Sequence, residues 1–148
     1  MQLLSSRHPW HIGIGEQPPP ILPSAYDTVR VRMALGLRAI DDLVDIGSAV
    51  GPLRYCLAHR QLDVPVESGT TNRWLAPHSV CTPGPGAPCP PVGHRSQPCV
   101  RLWVAPPHPF PSATTAADAL HHALSLGRSP MQTAHRPPGP HRPEVCHA

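Results

Sequence analysis

The placement of its 23 prolines constrains this 148-residue chain more than any other feature. Proline inside a helix removes a hydrogen-bond donor and clashes with the preceding turn, and inside a sheet it removes a ladder bond. Two stretches are nearly free of it: residues 24–64 contain Pro52 alone, and residues 112–127 contain none. Regular structure is expected there. Disorder is predicted for the remaining segments, 1–23, 65–111 and 128–148.

Composition also argues against a large core. Leu, Ile, Val and Phe make up 31 residues, about 21% of the chain, which is close to the level of roughly 20% below which chains tend to remain disordered. We therefore expect a mostly disordered, proline-rich chain that forms short helices and no compact domain.

Residues 24–47 have the pattern of an amphipathic helix. Ser24, followed three residues later by Asp27, resembles a capping box at the start of that helix. Apolar side chains then recur every three or four residues, which places them on one helical face. These side chains are Val29, Met33, Leu37, Ile40 and Val44.

Two shorter helices are predicted as well. Pro52 suits the first position of a helix over residues 52–62, and this helix would form a marginal hairpin with the first one. The segment 112–127 is rich in alanine, begins with a serine and ends with a glycine, and predicts a weak helix over about 112–126.

One face of the first helix resembles the BH-three type of death-motif helix over residues 33–46. In that family four apolar side chains enter a groove of a partner protein, and an aspartate pairs with an arginine of the groove. The resemblance implies that Asp42 is the charged contact and that the partner is a helix-binding groove protein. It implies four groove anchors, Met33, Leu37, Ile40 and Val44. An ordinary amphipathic helix has the same pattern.

Residues 137–142 satisfy the motif P-x-x-P-x-R, one orientation of ligand for SH-three domains. Pro137 and Pro140 would lie on the ridges of a polyproline helix, and Arg142 would reach an acidic pocket of the domain. A chain this rich in proline and arginine meets the motif by chance, so a solvated tail is the alternative interpretation.

Cysteine and histidine spacing suggests a metal site. Cys89, His94 and Cys99 have the two four-residue intervals of the last three ligands of a retroviral-type zinc knuckle, and Cys81 or His78 would complete the set. The tight C-x2-C turn of the knuckle is missing. Scattered thiols explain the pattern equally, so no cofactor follows from the sequence alone.

Several classes of function are not expected. The sequence contains no nucleophile elbow, phosphate loop, dinucleotide fingerprint or paired metal-ligand helix, so we expect no enzyme activity. The net charge of +3 is spread along the chain, which argues against a nucleic-acid surface. No signal peptide or membrane span is recognisable, and the cysteine count is odd; a cytosolic or nuclear location with reduced thiols is the default expectation.

The sequence alone assigns no biochemical function. Residues with GC-rich codons (Pro, Ala, Arg and Gly) are abundant and lysine is absent, which favours an uncharacterised product of a GC-rich or overlapping reading frame. Two alternatives stay open. The first is a small disordered interaction protein that uses residues 33–46 and 137–142, and the second is a zinc-binding segment over residues 81–99.

Overall fold

Residues 26–32, which the sequence pattern assigned to a helix, form a β-strand. In the computed structural model, which describes residues 17–90, 97–105 and 112–127, β1 (Tyr26–Arg32) runs directly into α1 (Met33–Asp45). The other elements follow in chain order: β2 (Leu53–Cys56), β3 (Gln61–Glu67), a 3-10 helix (Thr70–Arg73), β4 (Ser79–Pro83), β5 (Arg101–Val104) and α2 (Ala117–Leu126).

The five strands form one antiparallel sheet with the order β4-β1-β3-β2-β5. Because β3 lies between β1 and β2 and is antiparallel to both, β1, α1 and β2 form a split βαβ unit. β4 and β5 are the two edge strands. The chain that connects them therefore has to cross the whole sheet.

One face of the sheet carries the apolar core. Successive side chains of a strand point to opposite faces, so alternate residues of β1, β2 and β3 share this face. The apolar side chains of both helices pack against this face, which explains why apolar residues recur at helical spacing in the sequence. The fully buried members are Val29, Val31, Leu53, Tyr55, Leu62, Val64 and Val66 of the sheet, Leu37, Ile40 and Leu43 of α1, and Leu120 and Leu124 of α2.

Gly36 allows α1 to lie close to this face. A Cβ atom at this position would lie 2.6 Å from Val31 Cγ1 and 2.7 Å from Leu62 Cδ2. A larger residue would force these two side chains or the helix itself to shift. Neither helix among the described residues has the length and apolar character that crossing a membrane requires.

The predicted absence of a compact domain and the predicted disorder are wrong for the described residues, because the sheet buries a continuous core. Pro65 shows how a proline fits into the central strand β3. Its carbonyl accepts a hydrogen bond from the Thr115 N–H at 3.0 Å, on the side where β2 has already ended. Its missing donor faces the same side, so no ladder bond is lost.

The three helix predictions have different outcomes. The helix over 24–47 begins only at Met33, and the predicted capping box is wrong because Asp27 lies within β1. The helix over 52–62 is wrong, since this segment forms β2, a turn and the start of β3. The weak helix over 112–126 exists as the shorter α2.

The Asp27 carboxylate joins β1 to the 3-10 helix. Its Oδ2 accepts hydrogen bonds from the Thr71 backbone N–H at 2.8 Å and from Thr71 Oγ1 at 2.7 Å. Burial acts to raise the pKa of Asp27, but the hydrogen bonds from Thr71, Gly69 and Gly84 outweigh burial and hold the pKa below its usual value of 3.8. The ionised form is therefore the one that the fold stabilises.

Asp27→Asn tests this contact through the pH dependence of stability. A carboxylate whose folded-state pKa is lowered contributes stability above its unfolded pKa, and this contribution is lost as the pH falls through the folded pKa. We expect Asp27→Asn to lower the free energy of unfolding by about 1–3 kcal/mol at neutral pH and to flatten its decline below about pH 4. Urea unfolding over a pH series measures both effects. The exposed Asp118→Asn is the control, and an equal loss in the two variants would contradict the assignment.

Candidate metal centre

The second face of the sheet is polar and is organised around one carboxylate. Asp63 on β3 faces Arg30 on β1 and Arg54 on β2, each its direct cross-strand neighbour. Asp63 Oδ1 accepts a hydrogen bond from Arg30 Nε at 2.8 Å, and Oδ2 accepts bonds from Arg30 Nη2 at 3.1 Å and Arg54 Nη2 at 3.0 Å. The hydrogen bond to Asp63 raises the pKa of Arg30 further above its ordinary value. The side chain of Asp63 is only 7% exposed.

Residues 84–90, called the strap below, cross this polar face after β4. Thr28 Oγ1 donates a hydrogen bond to the Gly84 carbonyl at 2.7 Å, which fixes the start of the strap on β1. Gly86 then passes directly over the carboxylate, because a Cβ atom there would lie 3.0 Å from Asp63 Oδ2. A side chain at this position would force the Asp63 carboxylate or the strap to move by a few tenths of an ångström.

Three guanidinium groups hold the middle of the strap. The Gly86 carbonyl accepts hydrogen bonds from Arg54 Nη2 at 2.9 Å and from Arg101 Nη1 at 3.2 Å. The Ala87 carbonyl accepts bonds from Arg30 Nη2 and Arg101 Nη2. Arginine suits this role because its planar donors serve several acceptors at once. The strap is therefore attached to three strands, and its far end reaches the β2 and β5 side of the sheet.

A cluster of four potential metal ligands lies where the strap ends. It contains one buried and two partly buried cysteines and one partly buried histidine: Cys56, Cys89, Cys99 and His59. Their ligand atoms all lie within 4.8 Å of one another. His59 Nδ1 is 3.3 Å from Cys56 Sγ and 3.6 Å from Cys99 Sγ. Among the described residues this is the only such group.

Three separate segments bring the cluster together. Cys56 is the last residue of β2, and His59 follows in the turn to β3. The Leu57 N–H donates to the Val100 carbonyl at 2.9 Å, which ties this turn to the residue after Cys99. Cys89 lies near the end of the strap. The turn ends at Arg60, whose positive φ of 51° lets the chain reverse into β3.

The distances from the His59 nitrogen to two of the sulfurs suit one tetrahedral zinc ion. Zinc binds sulfur at about 2.3 Å and nitrogen at about 2.0 Å, so a tetrahedral site holds a sulfur and a nitrogen about 3.5 Å apart and two sulfurs about 3.8 Å apart. The two sulfur-to-nitrogen distances that involve His59 bracket the first value. Thiolate and imidazole ligands also favour zinc over magnesium or calcium. Four protein ligands leave no open position, which is typical of a structural ion.

The pKa values of Cys89 and Cys99 are shifted in opposite directions. Burial raises the pKa of Cys89 to about 11, and the nearby Cys56 adds to this effect. Burial also acts to raise the pKa of Cys99, but hydrogen bonds from the Cys89 backbone N–H and from the thiols of Cys89 and Cys56 outweigh it and place that pKa below its ordinary value. A metal ion has to displace the remaining thiol protons, so its affinity rises with pH.

The structure brings together two of the four metal ligands predicted from the sequence. Cys89 and Cys99 are in the cluster, whereas Cys81 lies on β4 at the opposite edge, 3.5 Å from Thr71 Oγ1. His94 lies outside the described residues. Sequence reasoning missed Cys56 and His59. Their C-x2-H interval is the signal that could have found them, because it places two ligands as close in sequence as the C-x2-C pair that the zinc-knuckle spacing lacked.

The predicted groove-binding face of α1 lies mainly in the core of this chain. Leu37 and Ile40 are fully buried, Met33 and Val44 pack partly against the core, and Asp42 is exposed. Binding to a groove protein through this face requires α1 to leave the sheet, and that interaction stays a prediction. The predicted SH-three ligand residues lie outside the described residues: Pro137, Pro140 and Arg142.

A second concave region lies between the 3-10 helix and α2. It has a volume of about 500 Å³, and Trp74 and His121 meet in it edge to face with ring centroids 5.3 Å apart. Its one arginine, Arg73, already pairs with Glu67. Among the described residues, no buried polar atom without a partner belongs to its lining. The metal cluster is therefore the better candidate site.

Comparisons of the chain with protein-family models, with curated proteins and with solved structures found no match.

Proposed function

We propose that this chain is a small zinc-binding protein in which Cys56, His59, Cys89 and Cys99 bind one structural Zn²⁺ ion. The observation that carries the proposal is the convergence of four ligand atoms from three chain segments to within 4.8 Å of one another. Cysteine thiolates and histidine imidazoles in groups of four are the ligand sets that structural zinc sites use.

The proposed ion would crosslink the polar side of the sheet. The apolar face is covered by two helices, whereas the described part of the polar face is covered by the strap, which attaches through hydrogen bonds to carbonyls. A metal ion that joins the β2–β3 turn, the strap and the segment before β5 would stabilise an arrangement that buries little apolar surface. Small domains commonly use a structural metal for this purpose.

The charges around the cluster support the same proposal. A zinc ion with three thiolates and one neutral imidazole carries one net negative charge. Asp63 neutralises only part of the charge of the arginines on this face. Arg30 and Arg101 lie close enough to Cys89 and Cys99 to favour their thiolates electrostatically. The strand arginines that hold the strap therefore compensate the charge of the proposed centre.

Metal titration of the full chain tests the proposal. We expect one Zn²⁺ per chain with a Kd below about 0.1 μM, measured by competition with a chromogenic chelator at neutral pH. Co²⁺ should show the absorption of a tetrahedral ion with thiolate ligands. Cys56→Ser should weaken zinc binding more than about 100-fold, because even the loss of an outer-shell partner costs about 10- to 100-fold.

Matched variants separate this ligand set from the one predicted by spacing. Cys81→Ser and His94→Ala should leave zinc affinity unchanged, whereas His59→Ala should weaken it as Cys56→Ser does. If His94→Ala abolishes binding and His59→Ala does not, the ligand set is that of the knuckle pattern. If the wild-type chain binds zinc no better than Cys56→Ser does, the proposed function is wrong.

The reading-frame hypothesis concerns the origin of the chain and not its chemistry, and it stays a prediction. Mass spectrometric detection of the tryptic peptide 39–54 in cells, against a synthetic standard, tests whether the protein persists. Reproducible detection would justify the metal analysis of protein isolated from its source.

A further inference from the structure

We propose that Cys89 and Cys99 are a peroxide-sensitive pair, whose oxidation to a disulfide removes two ligands from the centre and releases the zinc. The inference rests on the proposed zinc site and adds a means of regulating it. Its basis is the different placement of the three cysteines, because Cys56 is buried within a strand whereas Cys89 and Cys99 are partly exposed and lie outside the strands.

The first argument is proximity. The sulfur atoms of Cys89 and Cys99 belong to the group whose ligand atoms lie within 4.8 Å of one another, and the backbone N–H of Cys89 also donates a hydrogen bond to the Cys99 sulfur. A disulfide bond brings its sulfurs to about 2.05 Å, so the two residues need a short approach and no rearrangement of the sheet.

The second argument is freedom to move. Cys56 ends β2, with Gln61 on β3 and Arg101 on β5 as its two neighbours, and it is 3% exposed. Cys89 and Cys99 lie outside every described helix and strand, and both are partly exposed. These two residues are therefore more accessible to a small oxidant than Cys56 is, and their backbone adjusts at lower energetic cost than that of a residue held between two strands.

The reaction balances with a peroxide as the oxidant. One thiolate attacks a peroxide oxygen, the O–O bond breaks, and a sulfenic acid and hydroxide form. The second thiolate attacks the sulfenic sulfur and displaces its hydroxyl group, which gives the disulfide. With hydrogen peroxide, two protons convert the two hydroxide equivalents to water, and the two electrons lost by sulfur reduce the peroxide. Zinc keeps only Cys56 and His59 and dissociates.

The sheet should survive this reaction. Asp63 and its arginines still hold the strap after oxidation, because none of the contacts to Gly86 and Ala87 involves a thiol. The turn that carries His59 loses its metal crosslink to the strap. Oxidation therefore changes the surface around this turn and leaves the core intact, as expected of a reversible switch.

Peroxide treatment of the zinc-loaded full chain tests the inference. The Cys81→Ser variant is the suitable background, because the tryptic fragment 74–95 otherwise contains both Cys81 and Cys89. We expect one zinc ion released for every two thiols lost, with a chromogenic chelator as the zinc probe. Fragment 74–95 should become linked to fragment 96–101, and fragment 55–60, which contains Cys56, should stay free. Dithiothreitol and added zinc should restore the starting state.

The possible failures are distinguishable. If the chain binds no zinc, the proposed function is wrong, yet the zinc-free protein still shows whether fragments 74–95 and 96–101 become linked. If zinc binds but peroxide leaves the thiols intact, or links fragment 55–60 instead, the proposed pair is wrong and the zinc site stands. Cys56→Ser should still form the disulfide, and Cys89→Ser should not form it.

Discussion

Replacement of Asp63 by alanine should lower the free energy of unfolding by about 3–5 kcal/mol. The carboxylate accepts three hydrogen bonds from Arg30 and Arg54 and is almost fully shielded from solvent. Its removal leaves two arginine side chains, only 21% and 14% exposed, beside one another without the carboxylate that pairs with both. Small domains have a total stability of about 5–15 kcal/mol, so this loss is a large share of the total.

Urea unfolding followed by circular dichroism measures this loss, and Glu67→Ala is the matched control. Glu67 lies on the same strand and pairs with Arg73, but these side chains are 63% and 53% exposed, so we expect a loss of at most about 1 kcal/mol. Asp63→Ala should also weaken zinc binding, because the arginines that place the strap lose their anchor. Equal losses of stability in the two variants would show that the polar face does not depend on Asp63.

Gly51→Ala should destabilise the protein by about 3 kcal/mol, at the upper end of the cost of overpacking. Gly51 is buried, and a Cβ atom there would lie 2.8 Å from Thr114 Cα and 2.9 Å from the Thr114 carbonyl carbon. The opposing backbone has little room to retreat. The two residues after Thr114 are held by backbone hydrogen bonds. The Thr115 N–H donates to the Pro65 carbonyl and the Ala116 N–H to the Ala49 carbonyl, each at 3.0 Å.

Thermal and urea unfolding measure the effect of Gly51→Ala, and hydrogen exchange shows where it acts. The residues that Gly51 contacts lead directly into α2, so the amides of α2 should lose protection first. Gly127→Ala is the matched control, because a Cβ atom there has only an ordinary contact of 3.5 Å with Leu35. We expect that control to stay within about 1 kcal/mol of the wild type. Full protection of α2 in Gly51→Ala would contradict the packing argument.

Local patterns predicted the helical elements better than the sheet. Leu37, Ile40 and Leu43 follow helical spacing, and the helix forms where they lie. Val29 also fits that spacing, but together with Val31 it fits the alternation of a strand, and β1 forms because β3 and β4 pair with it on both sides. The sequence pattern alone did not separate these two possibilities, because the partners that decide between them are distant in the chain.

The candidate metal ligands also show that local sequence does not reveal which distant segments meet. Cys81 and Cys89 are near each other in sequence, yet β4 lies at the edge of the sheet opposite β5, and the strap carries Cys89 away from Cys81 to Cys56. Cys99 was found from its spacing to Cys89. Cys56 and His59 required the knowledge that residues 53–67 form a hairpin, and the alternation of Leu53, Tyr55, Leu62 and Val64 was the signal in the sequence that indicated it.

The sequence by itself indicated that helices lie within residues 24–47 and 112–126, although not where they begin, and it identified Cys89 and Cys99 as candidate ligands. Helices and short spacings depend on residues a few positions apart, so a local pattern is sufficient to predict them. Only the tertiary structure decided the strand order, the path of the strap and the placement of Cys56 and His59 beside Cys89 and Cys99. These features depend on pairing between distant segments, in which each strand and each ligand is selected by partners that the local sequence does not contain.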